Sequence, residues 1–288
     1  MTAPTSTVPA MAAPAARARK PRHLTRRRLG VYAARLATLI FIVGGWQLFT
    51  QWKIVDPFFF GQPSGIVSKL WYWVNHGTAY GSLGSQVWVT IKEGLLGFLF
   101  GTLGGIIVGV LLGQVRFLSD VLSPYIKAAN ALPRIVLGSI FVVWLGLGTS
   151  SKVMLAAVLV FFVVFFNAFQ GVREVDDNLL ANVRILGASR WEVVRNVVIP
   201  SAMTWIIASL HVAFGFAIIG AIVGEFLGAQ QGLGLIIATA QNQFDPDGVF
   251  AAMLIIAVIA LTAEWLIGLL ERSLLSWRPQ TAAEARAA

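Results

Sequence analysis

The stretch from Arg173 to Pro200 reads REVDDNLLANVRILGASRWEVVRNVVIP and lies between two long apolar runs. Its charge density is far above that of the flanking segments, so it is not expected to cross a membrane with them. Gly187 divides it into two halves, and each half has apolar residues at helical spacing. The pattern predicts a hairpin of two short amphipathic helices at a membrane surface.

Capping signals predict the limits of these two helices. Asp177 is a suitable N-cap for the first helix, which ends before Gly187. Ser189 followed three residues later by Glu192 is a capping-box pattern that starts the second helix, and Pro200 marks its end. The residues expected on the apolar faces are Leu179, Leu180, Val183 and Leu186 in the first helix and Trp191, Val194 and Val198 in the second.

Two roles fit such a hairpin. It could lie on lipid headgroups with Arg184, Arg190 and Arg195 among the phosphates, since these arginines lie off the apolar stripes. Alternatively, it could insert into a groove on a soluble partner. The pattern of residues 173–200 alone leaves both roles open.

The composition is that of a polytopic membrane protein. Of 288 residues, 57% are hydrophobic and 12% are charged, about half the charged fraction typical of soluble domains. The net charge of +9 comes from basic residues beside apolar spans, which indicates membrane topology rather than nucleic-acid binding. There is no cysteine, and the three histidines are far apart in sequence. We therefore expect no disulfide, no thiol nucleophile and no metal site.

The apolar runs predict an all-α membrane domain over residues 29–275 with about six transmembrane helices. The expected spans are 30–51, 87–113, 118–147, 153–171, 203–227 and 249–270. Pro133 and Arg134 interrupt the third span, because proline removes a helical hydrogen bond. We expect residues 1–28 to be a disordered basic tail and residues 276–288 to be a short polar tail.

The distribution of Lys and Arg predicts the orientation. Basic residues are frequent in the N-terminal tail, at Arg116, in the hairpin and after the sixth span, whereas the alternate segments hold few. By the positive-inside rule, both termini and the hairpin are cytoplasmic. The outer side then carries two short helices, over 62–74 with Ile66, Val67, Leu70 and Val74 on one face, and over 235–243.

Glycine recurs every four residues in two of the predicted spans. Such a stripe costs helix stability in isolation but allows a second helix to approach closely in lipid. We therefore predict tight helix packing along both stripes. The glycines concerned are Gly97, Gly101, Gly105, Gly109 and Gly113 in the second span, and Gly220 and Gly224 in the fifth.

Ionisable residues within membrane spans are candidates for lining a pathway. Arg134, next to Pro133, could face a pathway or extend to the headgroups. Glu225 and Glu264 are the acidic candidates, and His211 is a possible partner for Glu264 within the bundle. These residues are also compatible with a second class of protein, the ion-coupled secondary transporter or channel.

The hairpin resembles the EAA motif of inner-membrane permease subunits of ATP-binding-cassette (ABC) importers. Residues 187–189 followed by Val197 keep the motif's spacing, and 199–200 stand for its leucine–proline. The opening triplet has diverged to 181–183, which lacks the acidic residue. Further segments resemble the branch of this family that serves sulfonates, taurine, nitrate and pyrimidine precursors. These are 62–64, 132–134, 144–148 with 151–152, 232–234 and 244–245.

The resemblance implies a type I ABC importer fold and a coupling helix that docks on an ATPase. The implied docking residues are Leu180, Val183, Arg184, Leu186, Gly187, Ala188, Ser189, Arg190, Trp191, Glu192 and Pro200. The implied partners are two copies of a cytoplasmic ABC ATPase, a periplasmic or lipid-anchored solute-binding protein, and a second copy of the permease in a bacterial inner membrane.

The function expected on this basis is that of a permease subunit for a small, anionic solute such as a sulfonate, taurine, nitrate or a pyrimidine-like compound. No Gly-x-x-x-x-Gly-Lys-Ser/Thr phosphate loop is present, so ATP is expected on the partner subunit and no cofactor on this chain. No nucleophile–base pair is apparent, and we expect neither catalytic residues nor enzymatic activity.

Overall fold

The computed structural model describes residues 23–274, which form helices joined by turns and short loops, with one isolated β-bridge between Thr78 and Gly81. The predicted tails over 1–22 and 276–288 lie outside the described residues. The first helix begins at His23, within the segment predicted to be a disordered tail.

The helices follow one another with short connections. In chain order within the described residues, the α-helices are α1 (His23–Gln51), α2 (Pro57–Phe60), α3 (Pro63–His76), α4 (Leu83–Gln114), α5 (Arg116–Ala131), α6 (Leu137–Leu145), α7 (Thr149–Arg173), α8 (Asp177–Ile185), α9 (Arg190–Val193), α10 (Ile199–Leu227), α11 (Leu233–Asn242) and α12 (Pro246–Leu274). A 3₁₀ turn, Arg134–Val136, precedes α6, and a π-helical segment, Val194–Val198, joins α9 to α10.

Among the described residues, five continuous helical segments are long and apolar enough to cross a membrane. They contain α1, α4, α7, α10 and α12. A sixth candidate is the pair formed by α5 and the helical segment 134–145, which are bent by 74°. The bend occurs where Leu132 and Pro133 leave the helical conformation, as a proline inside the third span predicts. The expected all-α membrane fold of about six spans is confirmed.

The centre of the bundle is the contact between α4 and α7. The five predicted glycines of α4 are all buried against α7. A Cβ atom placed on Gly101 would lie 2.5 Å from the carbonyl oxygen of Ala157, and one on Gly105 would lie 2.9 Å from that of Phe161. The two backbones therefore approach so closely that only glycine fits.

The glycines of α10 pack on the same helix. A Cβ on Gly220 would lie 2.5 Å from Cα of Ala156, and one on Gly224 would lie 3.0 Å from Cγ of Lys152. Helix α7 is thus enclosed between α4 and α10, with Leu155, Val160 and Val164 fully buried. The spacing of the glycines predicts close packing, but it does not reveal that both stripes face one helix.

The short helices α3 and α11 cover one end of the bundle. Ile66 and Trp73 are the buried residues of α3, whereas Val67 and Val74 are exposed. The buried face of α3 is therefore rotated about the helix axis relative to the predicted face. It includes Trp73, which packs in a cluster with residues of α11 and α12. The backbone N–H of Gln62 donates to Asp247 at 2.8 Å, which attaches the start of α3 to α12.

Candidate functional site

The hairpin consists of α8, a turn at Gly187, and α9. Asp176, rather than the predicted Asp177, is the N-cap of α8, and its carboxylate accepts from the N–H of Asn178 at 2.8 Å. Asp177 already belongs to the first turn, so the prediction was wrong by one position. Gly187 has φ +88°, a conformation in which an L-residue is strained.

The predicted capping box at the start of α9 is present. The hydroxyl of Ser189 accepts from the N–H of Glu192 at 3.3 Å, and Glu192 accepts from the N–H of Ser189 at 2.8 Å. Both helices of the hairpin are therefore capped at their N-termini, and the Gly187 turn is held by the Ala188 N–H donating to the Val183 carbonyl. A hairpin bonded in this way is suited to move as one piece.

One face of the hairpin packs against the bundle. Leu180, Val183 and Ala188 contact a buried cluster that contains Val193 and Val198. The predicted faces are therefore only partly correct: Leu180, Val183 and Val198 pack inward, but Leu179, Leu186 and Trp191 are exposed.

The exposed tip of the hairpin is apolar. Ile185 is 82% exposed and Leu186 is 85% exposed, and Trp191 next to the turn is 66% exposed. Exposed apolar side chains on a polar hairpin indicate a surface that another protein or a lipid covers. We call these three residues the apolar tip.

The second helix of the hairpin is continuous with a membrane span. Pro200 does not end it as predicted; it lies in the first turn of α10, where its missing N–H is tolerated because the preceding segment is π-helical. The segment from Arg190 to Leu227 is thus one long helical unit. The second helix of the hairpin is therefore joined to α10 without an intervening loop.

A second candidate site is a polar cluster buried at the opposite end of α10. Glu225 is fully buried, and its carboxylate accepts from the hydroxyl of Thr90 at 2.7 Å and from the N–H of Gly234 at 2.6 Å. Glu93 and Lys152 lie beside it and are also buried. Glu225, proposed as a pathway residue, is a packing group in this conformation.

Sequence reasoning missed four members of this buried cluster. Gln86, Thr90, Glu93 and Lys152 are not among the candidate site residues, although Lys152 belongs to a segment that carries the family resemblance. A signal was available, because three of these residues recur at helical spacing on one face of α4. Polar residues repeated along one face of an apolar helix indicate a polar partner in the bundle.

His211 and Glu264 form the pair that the sequence predicted. Nδ1 of His211 is 2.8 Å from Oε1 of Glu264, and Nε2 is 3.1 Å from Oε2 of Glu271. Both ring nitrogens are therefore engaged, and α10 is joined to α12 through them. Within residues 23–274, no group of three or more His, Cys, Asp and Glu residues is arranged to hold a metal ion.

Arg134 lies apart from both clusters. Its guanidinium contacts the side chain of Asn130 and stacks over the ring of Phe162, with its carbon 4.4 Å from the ring centroid. These contacts join the 3₁₀ turn after Pro133 to α5 and α7. The structure therefore does not bring the five pathway candidates together into one site.

Within residues 23–274, the five apolar spans, the bent pair that is the sixth candidate, and the capped hairpin continuous with one span define a membrane-embedded transport subunit. Comparison with known proteins agrees: the profile described as "binding-protein-dependent transport system inner membrane component" matches residues 101–276. The chain belongs to this family of multi-pass bacterial inner-membrane permease subunits. Membership implies an ATPase partner and a solute-binding protein.

Curated relatives cover most of the chain. The riboflavin transport system permease protein of Chloroflexus aurantiacus is 30% identical over 83% of this chain and 88% of its own length. The taurine transport system permease protein of Escherichia coli is 26% identical over 84% and 88%. The formylaminopyrimidine transport permease protein of Halalkalibacterium halodurans is 32% identical over 60% and 71%. The predicted family is confirmed, and the relatives include members of the predicted branch.

Solved structures support the fold. An inward-facing methionine ABC transporter aligns with a TM-score of 0.59 and 19% identity, covering 66% of this chain and 95% of that one. An amino acid ABC transporter aligns with a TM-score of 0.53 and 22% identity, covering 66% and 92%. The likeness confirms the permease architecture and carries no information on the solute.

Proposed function

We propose that two copies of this permease form the translocation pathway of an ABC importer, that two copies of an ATPase bind the cytoplasmic hairpins, and that a solute-binding protein delivers the solute from outside. ATP binds to the partner subunits, and this chain carries no cofactor. The observation that supports docking most directly is the apolar tip, which is exposed on a hairpin whose other face is packed and whose helices are both capped.

The proposed docking follows the mode in which an amphipathic helix enters an apolar groove of a partner. Ile185, Leu186 and Trp191 supply the apolar contacts, and Arg184 and Arg190 flank them. Because the helix continues from Arg190 to Leu227, movement of the ATPase subunits would tilt α10. Tilting α10 displaces the half-buried His211 and the buried Glu225, and so opens one side of the pathway at a time.

We propose a small polar solute of the sulfonate, taurine, nitrate or pyrimidine-like class. The support is the solutes of its relatives, which include taurine and formylaminopyrimidine permeases. An anionic solute is also compatible with Arg134, which is half-buried next to the break in the third span.

The test is reconstitution in liposomes. We expect accumulation of radiolabelled taurine or another member of the class only when the ATPase, the solute-binding protein and ATP are all present. The alternative, an ion-coupled secondary transporter, is favoured by the contact of His211 with two carboxylates in the spans. Accumulation by the permease alone, driven by a proton or sodium gradient, would establish that alternative.

The orientation proposed for the spans is testable by reporter fusion. A phosphatase or fluorescent reporter placed after Arg272 is expected to report the cytoplasm, because basic residues place both termini there. The matched fusion after Ala79, in the turn between α3 and α4, is expected to report the periplasm. The reverse pattern would invert the topology and move the hairpin to the outside.

A further inference from the structure

The N-terminus of α11 is capped by side chains from two other helices. The first backbone N–H groups of a helix have no carbonyl partner within that helix. Here three successive N–H groups each donate to a buried side chain instead. Gly232 donates to Gln86 at 2.7 Å, Leu233 donates to Thr90 at 2.9 Å, and Gly234 donates to Glu225 at 2.6 Å. Gln86 and Thr90 belong to α4, and Glu225 belongs to α10.

The fit around this cap leaves no spare space. The three accepting side chains are essentially unexposed, and Leu233 is fully buried. A Cβ on Gly232 would collide with the Glu225 carboxylate, and one on Gly234 would collide with the carbonyl oxygen of Ile222. A carboxylate at a helix N-terminus is also favoured by the helix dipole. Helix α11 is therefore held in place by specific bonds as well as by apolar contact.

We propose that Gln86, Thr90 and Glu225 are positioning residues that hold α11 across the outer end of the bundle as the outer seal of the pathway. The inference rests on the orientation and the importer function proposed above. We call the three residues the α11 cap. Because its acceptors are divided between α4 and α10, the cap is complete only while these helices remain together at that end.

The division of the cap between two helices gives it a part in transport. When tilting of α10 separates its outer end from α4, Glu225 moves away from Gln86 and Thr90. The three N–H groups then cannot all keep their acceptors, and α11 is released from the bundle. Opening of the outer mouth is thereby linked to movement of the hairpin at the other end of the same helix.

Glu225 supplies two charged acceptor oxygens to the cap. The hydroxyl of Thr90 accepts from Leu233 and donates to one oxygen of Glu225, while Gly234 donates to the other. In Glu225→Gln a single, uncharged amide oxygen replaces the two carboxylate oxygens, so the Gly234 N–H and the Thr90 hydroxyl no longer share a charged acceptor and the bonds of the cap are weakened. Thr102, on the same helix as Thr90, provides the control, because its hydroxyl has no hydrogen-bond partner among the described residues, and Thr102→Val removes no bond of the cap.

Cysteine labelling tests the seal directly, since the chain has no cysteine of its own. Leu233→Cys is introduced into the full complex in right-side-out vesicles, and its reaction with a membrane-impermeant maleimide added outside is timed. Alone, this variant should react slowly. Adding Glu225→Gln should raise the rate roughly tenfold or more, the factor expected when a buried bond to a charged group is lost. Adding Thr102→Val instead should leave the rate unchanged.

The remaining outcomes decide the proposal. Equal slow labelling with Glu225→Gln in an assembled complex, or equal acceleration by Thr102→Val, would overturn it. If Glu225→Gln does not assemble, Thr90→Val is used with the same expectation. ATP hydrolysis without the solute-binding protein should also rise in the cap variants, which a purely structural role would not produce. If the cap variants are labelled faster but the complex without them shows no ATP-dependent uptake, the proposed function is refuted, whereas the proposal that the cap holds α11 in place is supported.

Discussion

Replacing Gly101 with alanine is expected to destabilise the bundle by about 1–3 kcal/mol, the usual cost of forcing extra atoms into a packed core. The added Cβ would lie 2.5 Å from the carbonyl oxygen of Ala157 and 2.6 Å from Cβ of Val160. The first of these is a backbone atom, which no change of rotamer can move. Helices α4 and α7 would have to separate, and the contact at Gly105 would loosen with them.

The adjacent Gly104 provides the control for this experiment. A Cβ there would lie 3.4 Å from Cδ2 of Phe161, an ordinary contact. Gly104→Ala should be neutral or stabilising by up to about 1 kcal/mol, because alanine is the better helix former. Thermal unfolding of the purified permease measures both variants, and the larger Gly101→Leu should abolish the assembled complex. Equal stability of the two alanine variants would show that the close approach of α4 and α7 does not contribute to the stability of the bundle.

The glycine stripes show where sequence reasoning was sufficient and where it was not. Local signals survive in any tertiary context, so the span count, the break at Pro133, the Gly187 turn and the Ser189–Glu192 capping box were all predictable. Which helix faces a stripe is a three-dimensional property that spacing does not encode. Pro200 was misread for a related reason, because the π-helical segment before it lets one helix continue through a proline.

Some of the polar contacts could be predicted from the sequence and others could not. His211 and Glu264 could be paired in advance, since each was a costly group in a span that needed a partner. The α11 cap could not be assembled from the sequence, because Glu225 and Thr90 are 135 positions apart and only the packing of α4 on α10 brings them together. The exposure of Leu186 was also missed, because helical periodicity alone does not say which apolar residues a partner covers.

Replacing Leu186 with glutamate is expected to abolish ATP-driven uptake while the permease remains folded. Leu186 is 85% exposed, and surface substitutions at such positions usually change stability by less than about 0.5 kcal/mol. If the apolar tip enters a groove of the ATPase, however, the new carboxylate is buried without a partner. A buried unpaired charge costs about 3 kcal/mol or more, which corresponds to at least roughly a hundredfold loss of affinity.

Co-purification of the ATPase with the tagged permease measures this loss, and thermal unfolding shows whether the variant is folded. Asn178→Glu is the matched control, because it adds the same charge to an exposed position of α8, away from the apolar tip and at a helix N-terminus where an acidic residue is favourable. The control should bind the ATPase and transport normally. If Leu186→Glu still binds the ATPase as well as the unmodified permease does, the tip is not the docking surface, and the alternative that it rests among lipid headgroups would account for its exposure.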